Sequence, residues 1–167
     1  MLYMRKNNPE GIAINFDRDK VNKFIDSLPF KLTVDQNKAL DEIFGDISSN
    51  YKMNRLLQGE VGSGKTIVSA ISLYAVTTAG YQGAIMVPTE VLASQHYLTF
   101  SEYFKNSDIN VALLTSSVSA KDKKAILEGL SNGEIDIVIG THALIQDDVT
   151  YHNLGLVVTD EQHRFGV

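Results

Sequence analysis

Hydrophobic and polar positions along the chain fall into two textures. Before residue 50 the apolar residues recur three and four apart; from Met53 onward short apolar runs alternate with helical stripes. Val21, Phe24, Ile25 and Leu28 share one helical face across residues 17–28, and Pro29 ends it, so a connecting helix is expected behind a polar lead-in. Thr33 is placed to cap a second helix whose Val34, Ala39, Leu40, Ile43, Phe44 and Ile47 form an apolar stripe. Beyond it, strands are expected at residues 54–58, 84–87, 111–115, 135–139 and 156–159. The intervening helices run from a Gly-rich turn to Ala79, where Gly80 stops the helix, then from about Thr89 to Phe104, then from a capping-box-like start at Ser119 and Asp122 to Gly133.

Apart from Asp136 and Thr159, the runs at 135–139 and 156–159 are apolar, which suits parallel strands covered on both faces. Strand–helix alternation of this kind predicts an α/β fold in three layers around a parallel sheet. The first thirty residues look different from the rest, so the chain is divided into an N-terminal linker and connecting helix, 1–28, and an α/β domain, 29–167.

Candidate chemistry sits where the first of these strands meets its helix. Gly59, Glu60, Val61, Gly62, Ser63, Gly64, Lys65 and Thr66 match the phosphate-loop pattern G-x-x-x-x-G-K-[ST] between a strand and a helix. Glycines let the backbone turn tightly and present N–H groups, and the helix N-terminus adds partial positive charge. Lys65 then reaches the β- and γ-phosphates of a nucleoside triphosphate, and the Thr66 hydroxyl serves Mg²⁺. The competing account is a Gly-rich turn with a solvated lysine.

A second constellation follows the strand at 156–159, which runs into Asp160, Glu161, Gln162 and His163. Ligands of α/β sheets gather at the carboxyl ends of strands. Neighbouring side chains alternate in direction, so Asp160 can serve the Mg²⁺ shell while Glu161 orients the water that attacks the γ-phosphate, with His163 placed to report on that phosphate. An isolated Asp-Glu pair would read as a solvated turn; a phosphate loop upstream in the same sheet changes that.

Composition narrows the picture. With Lys+Arg 15 against Asp+Glu 20 the net charge is −5, which argues against a generic nucleic-acid binder. The absence of cysteine excludes disulfide frameworks and thiolate metal sites and fits a reducing compartment, so the cytoplasm is expected. No apolar stretch follows the basic residues of the N-terminus, so a secretory signal is not expected. Residues 66–89 carry no Lys or Arg and no acid, a length that could span a bilayer, but Ser, Thr, Gly, Gln and Pro make the segment too polar.

Taken together the motifs resemble the first RecA-like motor domain of superfamily 2 helicases, in the branch that remodels branched DNA. The resemblance covers about residues 28–167. Leu28, Pro29, Phe30, Lys31, Leu32, Thr33 and Gln36 resemble the glutamine motif. Residues 53–66 resemble the Walker A segment; Val87, Pro88, Thr89, Glu90, Ala93, Gln95 and His96 motif Ia; Gly140, Thr141, His142, Ala143 and Leu144 motif Ib; and residues 160–167 motif II.

The resemblance implies ATP and Mg²⁺ as cofactors, with Gln36 reading the adenine edge, Lys65 and Thr66 holding phosphate and Mg²⁺, and Asp160 and Glu161 driving hydrolysis. It also implies that Thr89, Glu90, Thr141 and His142 lie on or near a DNA track. An exposed helical glutamine and packed or hydrogen-bonded histidines are the alternatives for Gln36, His96 and His142. Where the family pattern leads one to expect Thr-Gly-Ser after the strand at 111–115, this chain has Thr115-Ser116-Ser117, and these residues are left out of the candidate site. Since no Lys or Arg lies between Thr66 and Phe104, hydroxyls and backbone N–H groups are the donors expected to hold phosphate there, without reading base sequence.

A helicase of this kind needs more than these residues carry. The remaining strand of the lobe, a coupling motif, a second RecA-like domain with arginine fingers and an upstream wedge domain have no counterpart here. The 167 residues are therefore expected to be the first lobe of a larger monomeric enzyme, truncated after the Walker B strand and nearly inactive alone. In the parent the resemblance implies translocation on double-stranded DNA, remodelling stalled forks and Holliday junctions. The translocase module of a transcription-repair coupling factor, and a P-loop module that binds nucleotide without helicase action, are the rival readings.

Overall fold

The computed structural model describes residues 2–4, 14–47, 54–56 and 63–159. Its sheet contains β1 (Leu2–Met4), β2 (Asn54–Leu56), β3 (Gln82–Met86), β4 (Val111–Leu114), β5 (Ile137–Gly140) and β6 (Leu154–Thr159), in the spatial order β2-β1-β6-β3-β5-β4. β6, β3, β5 and β4 are parallel neighbours. β1 pairs antiparallel with both β2 and β6, so β2 runs in the same sense as those four. All five strands expected from the sequence therefore point one way. β1 departs from the expected lead-in: three residues are too few to display an alternation, and their pairing comes from strands far along the chain.

Among the described residues five helices pack with the sheet: α1 (Arg18–Asp26), α2 (Val34–Ile47), α3 (Ser63–Thr78), α4 (Glu90–Tyr103) and α5 (Ala120–Asn132), with a 3₁₀ turn at His142–Ile145. Side-chain oxygens of Asp17, Thr89 and Ser119 accept from N–H groups three residues on, capping α1, α4 and α5. Gly133, at φ +88°, ends α5 in the left-handed conformation that favours glycine.

The sheet's alternation explains the layers. Ile85, Val87, Ile137, Ile139, Leu156 and Val158 join one core with residues from α1 to α4, among them Val21, Ile43, Ile71 and Phe100. Ala84, Val138 and Leu114 face the other way into a smaller core with Leu130 of α5 and Leu144 of the 3₁₀ turn. Leu154 belongs to this second core although Leu156 belongs to the first. The register shift that pairs Gln82 with Leu154 but Gly83 with Leu156 leaves Gly155 as the extra residue of a bulge and turns Leu154 over.

The core runs across the division at residue 28. Phe24 of α1 is 7% exposed and stacks on Tyr74 of α3 and Phe104, with ring centroids 4.7 and 5.1 Å away. The uncharged stretch 66–89 becomes most of α3, a turn and β3, and among the described residues no helix is long and apolar enough to cross a membrane.

Candidate nucleotide and nucleic-acid site

With five strands running one way, the segments that follow β2, β6, β3, β5 and β4 all leave from one end of the sheet, the end where α/β folds place ligands. Across that end the strand order is β2, β1, β6, β3, β5 and β4. β2 and β6, the strands that precede the Walker A and Asp160–Glu161 segments in the sequence, lie on one half of the sheet, and β3, β5 and β4, which lead into motif Ia, motif Ib and the turn at Thr115-Ser116-Ser117, lie on the other. One strand separates β2 from β6, so at the usual interstrand spacing their ends lie about 10 Å apart.

Gly59, Glu60, Val61 and Gly62, together with Asp160, Glu161 and His163, lie outside the described residues; β2, α3 and β6 fix the places from which they extend. Ser63 opens α3, so Gly64, Lys65 and Thr66 stand in its first turn, with Thr66 half-buried. The first turns of α1, α2, α4 and α5 each carry an acid: Asp19, Asp35, Glu90 and Asp122. That of α3 carries none, which leaves its N-terminal partial charge available to an anion. β6 delivers buried Thr159 immediately before Asp160. Among the described residues no three His, Asp or Glu side chains gather to hold a metal.

Gln36 is engaged in a local structure. Its Oε1 accepts from the Thr33 N–H at 2.8 Å while Thr33 Oγ1 accepts from the Gln36 N–H at 3.1 Å, the reciprocal bonds of a capping box at the start of α2. The sequence places Thr33 as the cap; the return bond from Gln36 is what it leaves out.

On the track side, Gly140 holds three strand ends together. Its carbonyl accepts from the Val87 N–H at 2.9 Å, extending the β3–β5 pairing towards motif Ia. A Cβ at residue 140 would run into the backbone carbonyl oxygen of Leu114 on β4, so only glycine fits between those strands. Thr141 follows, half-buried, and His142 is exposed at the start of the 3₁₀ turn. The Tyr151 hydroxyl donates to the Leu144 carbonyl at 3.0 Å and fastens that turn from below; burial pushes its pKa up to about 12, so it remains a donor. Thr89 spends a lone pair on the Leu92 N–H at 3.2 Å, and a hydroxyl that accepts in this way keeps its own hydrogen for donation.

Glu90 reaches across the sheet edge. Its Oε1 accepts from Ser116 Oγ at 2.8 Å and from the Ser117 N–H at 2.9 Å, and its Oε2 accepts from Ser117 Oγ at 2.7 Å. The Ser117 hydroxyl leads the contacts that hold the carboxyl below its ordinary pKa, with Ser116 and the Ser117 backbone behind it. Ser116 and Ser117 are outside the sequence-derived candidates. The signal that could have found them is a pair of hydroxyls at one strand end facing an acid at another.

This sheet, with the phosphate-loop pattern following β2 in the sequence and an Asp-Glu pair following β6, defines a RecA-like P-loop motor domain. The model of the DEAD/DEAH box helicase family matches residues 33–167, and the chain belongs to that family. It is 59% identical over 164 residues to the ATP-dependent DNA helicase RecG of Staphylococcus epidermidis and 58% identical over the same length to that of Staphylococcus aureus. Each alignment covers 98% of this chain and 24% of the relative, so the chain spans about a quarter of the length of the curated relatives it matches. Among solved structures it is similar to RecG bound to a three-way DNA junction, with a TM-score of 0.86 and 52% identity over 93% of this chain and 21% of that one.

Proposed function

We propose that this chain is the ATP-binding lobe of a DNA helicase or translocase that remodels branched DNA, including stalled forks and Holliday junctions, in recombination and repair. The observation that supports this most strongly is the 59% identity to a DNA helicase over nearly all of this chain, together with a strand order that sets β2 and β6 apart from β3, β5 and β4.

In this reading Lys65 and the backbone of residues 59–66 hold the triphosphate, aided by the first turn of α3, which carries no acid. Thr66 and Asp160 hold Mg²⁺, which neutralises charge on the phosphate oxygens. Glu161 orients the attacking water, and His163 relays the state of the phosphate towards the track. Thr89, Thr141 and His142 meet the DNA backbone. A second RecA-like domain and a wedge domain of the intact protein supply arginine fingers and fork splitting, and the enzyme works as a cytoplasmic monomer. An arginine finger is worth about 10³ to 10⁵ in rate, so these 167 residues alone should hydrolyse ATP close to background.

Steady-state ATPase assays of the intact protein with forked DNA, single-stranded DNA and no DNA test the proposal. Forked DNA should stimulate turnover most. Lys65→Ala should abolish nucleotide binding, and Glu161→Gln should keep binding while stopping turnover. Turnover indifferent to DNA, or an active Glu161→Gln variant, would refute it.

A further inference from the structure

An acid in the first turn of α4 is a poor phosphate contact, because a carboxylate repels the DNA backbone. The geometry of Glu90 gives it other work. Both of its oxygens are used, by residues 26 and 27 positions further along the chain. Those residues follow β4 while Glu90 follows β3, and β5 lies between the two strands. The bond set therefore spans the end of β5, where Gly140, Thr141 and His142 emerge.

We propose that Glu90 is a positioning residue of the nucleic-acid track: its carboxylate ties the Ser116-Ser117 turn to the first turn of α4 and thereby fixes the Thr141-His142 turn relative to Thr89. The role rests on the proposed function for its connection to DNA, while the tie itself is a property of the fold. Hydrogen bonds to a carboxylate are shorter and roughly twice as strong as neutral ones, so three of them suit a fastening. The carboxyl's lowered pKa keeps it charged and accepting at neutral pH.

Serine hydroxyls whose hydrogens point at Glu90 turn lone pairs outward. Ser116 and Ser117 consequently brace the track instead of gripping phosphate, which gives a physical reason for two hydroxyls where the family pattern leads one to expect Gly-Ser. A glycine at residue 116 would delete the Ser116 Oγ bond.

The test uses the intact protein and the variants Glu90→Ala, Glu90→Gln and the double variant Ser116→Ala with Ser117→Ala. Glu90→Ala and the double serine variant should each raise the forked-DNA concentration for half-maximal ATPase stimulation about tenfold, and combining them should still give about tenfold, because one tie cannot be broken twice. The change should fall on this DNA constant and not on the KM for ATP. Glu90→Gln, which keeps one carbonyl acceptor, should recover part of the loss. Without DNA, hydrogen exchange of the Ser117 amide should quicken in Glu90→Ala.

Effects that multiply to about a hundredfold would overturn the proposal, because the acid and the serines would then act on DNA separately. Tighter DNA activation in Glu90→Ala, or unchanged exchange at Ser117, would also overturn it. If DNA does not stimulate the wild type, the helicase reading fails and takes the track role with it; the exchange measurement then decides by itself whether the tie exists.

Discussion

Gln36 has two duties to separate, and its carbonyl oxygen serves both. A carboxamide offers a carbonyl oxygen with two lone pairs and two N–H donors, and reading an adenine through N6 and N7 takes one lone pair and one donor. The capping box with Thr33 uses one lone pair of that oxygen. Cap and adenine contact can therefore share Oε1, while the contact to N7 depends on the carboxamide N–H. Gln36→Glu separates the duties: glutamate preserves the acceptor at the third helical position but has no donor for N7. We expect it to keep thermal stability and lose discrimination between ATP and GTP, while Gln36→Ala should in addition lower stability by about 0.5–1 kcal/mol. Retained ATP preference in Gln36→Glu would leave Gln36 as a cap alone. The residue types of the candidate nucleotide site are proposed from the sequence alone, because the phosphate-loop pattern names them one by one. The partnerships were not legible: Glu90 and its serines are 26 and 27 residues apart, and nothing local links them. Gly140 was legible as part of a motif, but its reason, the Leu114 carbonyl, lies on another strand.

Elements were legible in proportion to their periodicity. The stripes of α2 and α5 and the apolar runs of β5 and β6 span enough residues to declare a period, whereas β1 does not, and the bulge that turns Leu154 over arises only from pairing with β3. Gln82 escapes sequence reading for the same reason. It is 4% exposed at the end of the sheet opposite the site, where its side chain donates to the carbonyls of Leu130 and Ile135 and accepts from the Asn153 N–H. α1 shows what an element's packing adds to its period. Its stripe predicts a helix but is silent on what the helix covers. Phe24, stacked against both Tyr74 and Phe104, makes α1 part of the main core. Phe24→Ala should cost about 3–5 kcal/mol in denaturant unfolding, the usual range for emptying a buried aromatic site. The exposed Arg18–Asp41 pair, 3.7 Å apart, should matter far less: Asp41→Ala is expected to cost under about 1 kcal/mol. A cost for Phe24→Ala as small as that of Asp41→Ala would mark α1 as a linker laid on the surface.

For the whole chain the proposed function has to be squared with a lobe of net charge −5. Affinity for DNA in general comes from cations that displace counterions, and its salt dependence counts them. The half of the sheet edge proposed as the track offers Thr89, Thr141, His142 and backbone N–H groups, with no Lys or Arg between Thr66 and Phe104. Such donors orient a phosphate without displacing counterions. The lobe should therefore set where the DNA backbone runs, while other parts of the intact protein supply most of the binding energy. Thr89→Ala in the intact protein is expected to weaken forked-DNA activation of the ATPase several-fold at every salt concentration. The slope of log affinity against log salt should stay within about 0.3 of the wild-type value, since each lost phosphate cation would change it by about 1. A slope lower by a full unit would mean that a cation acts through this part of the track, and the division of labour between orienting hydroxyls and distant cations would have to be abandoned.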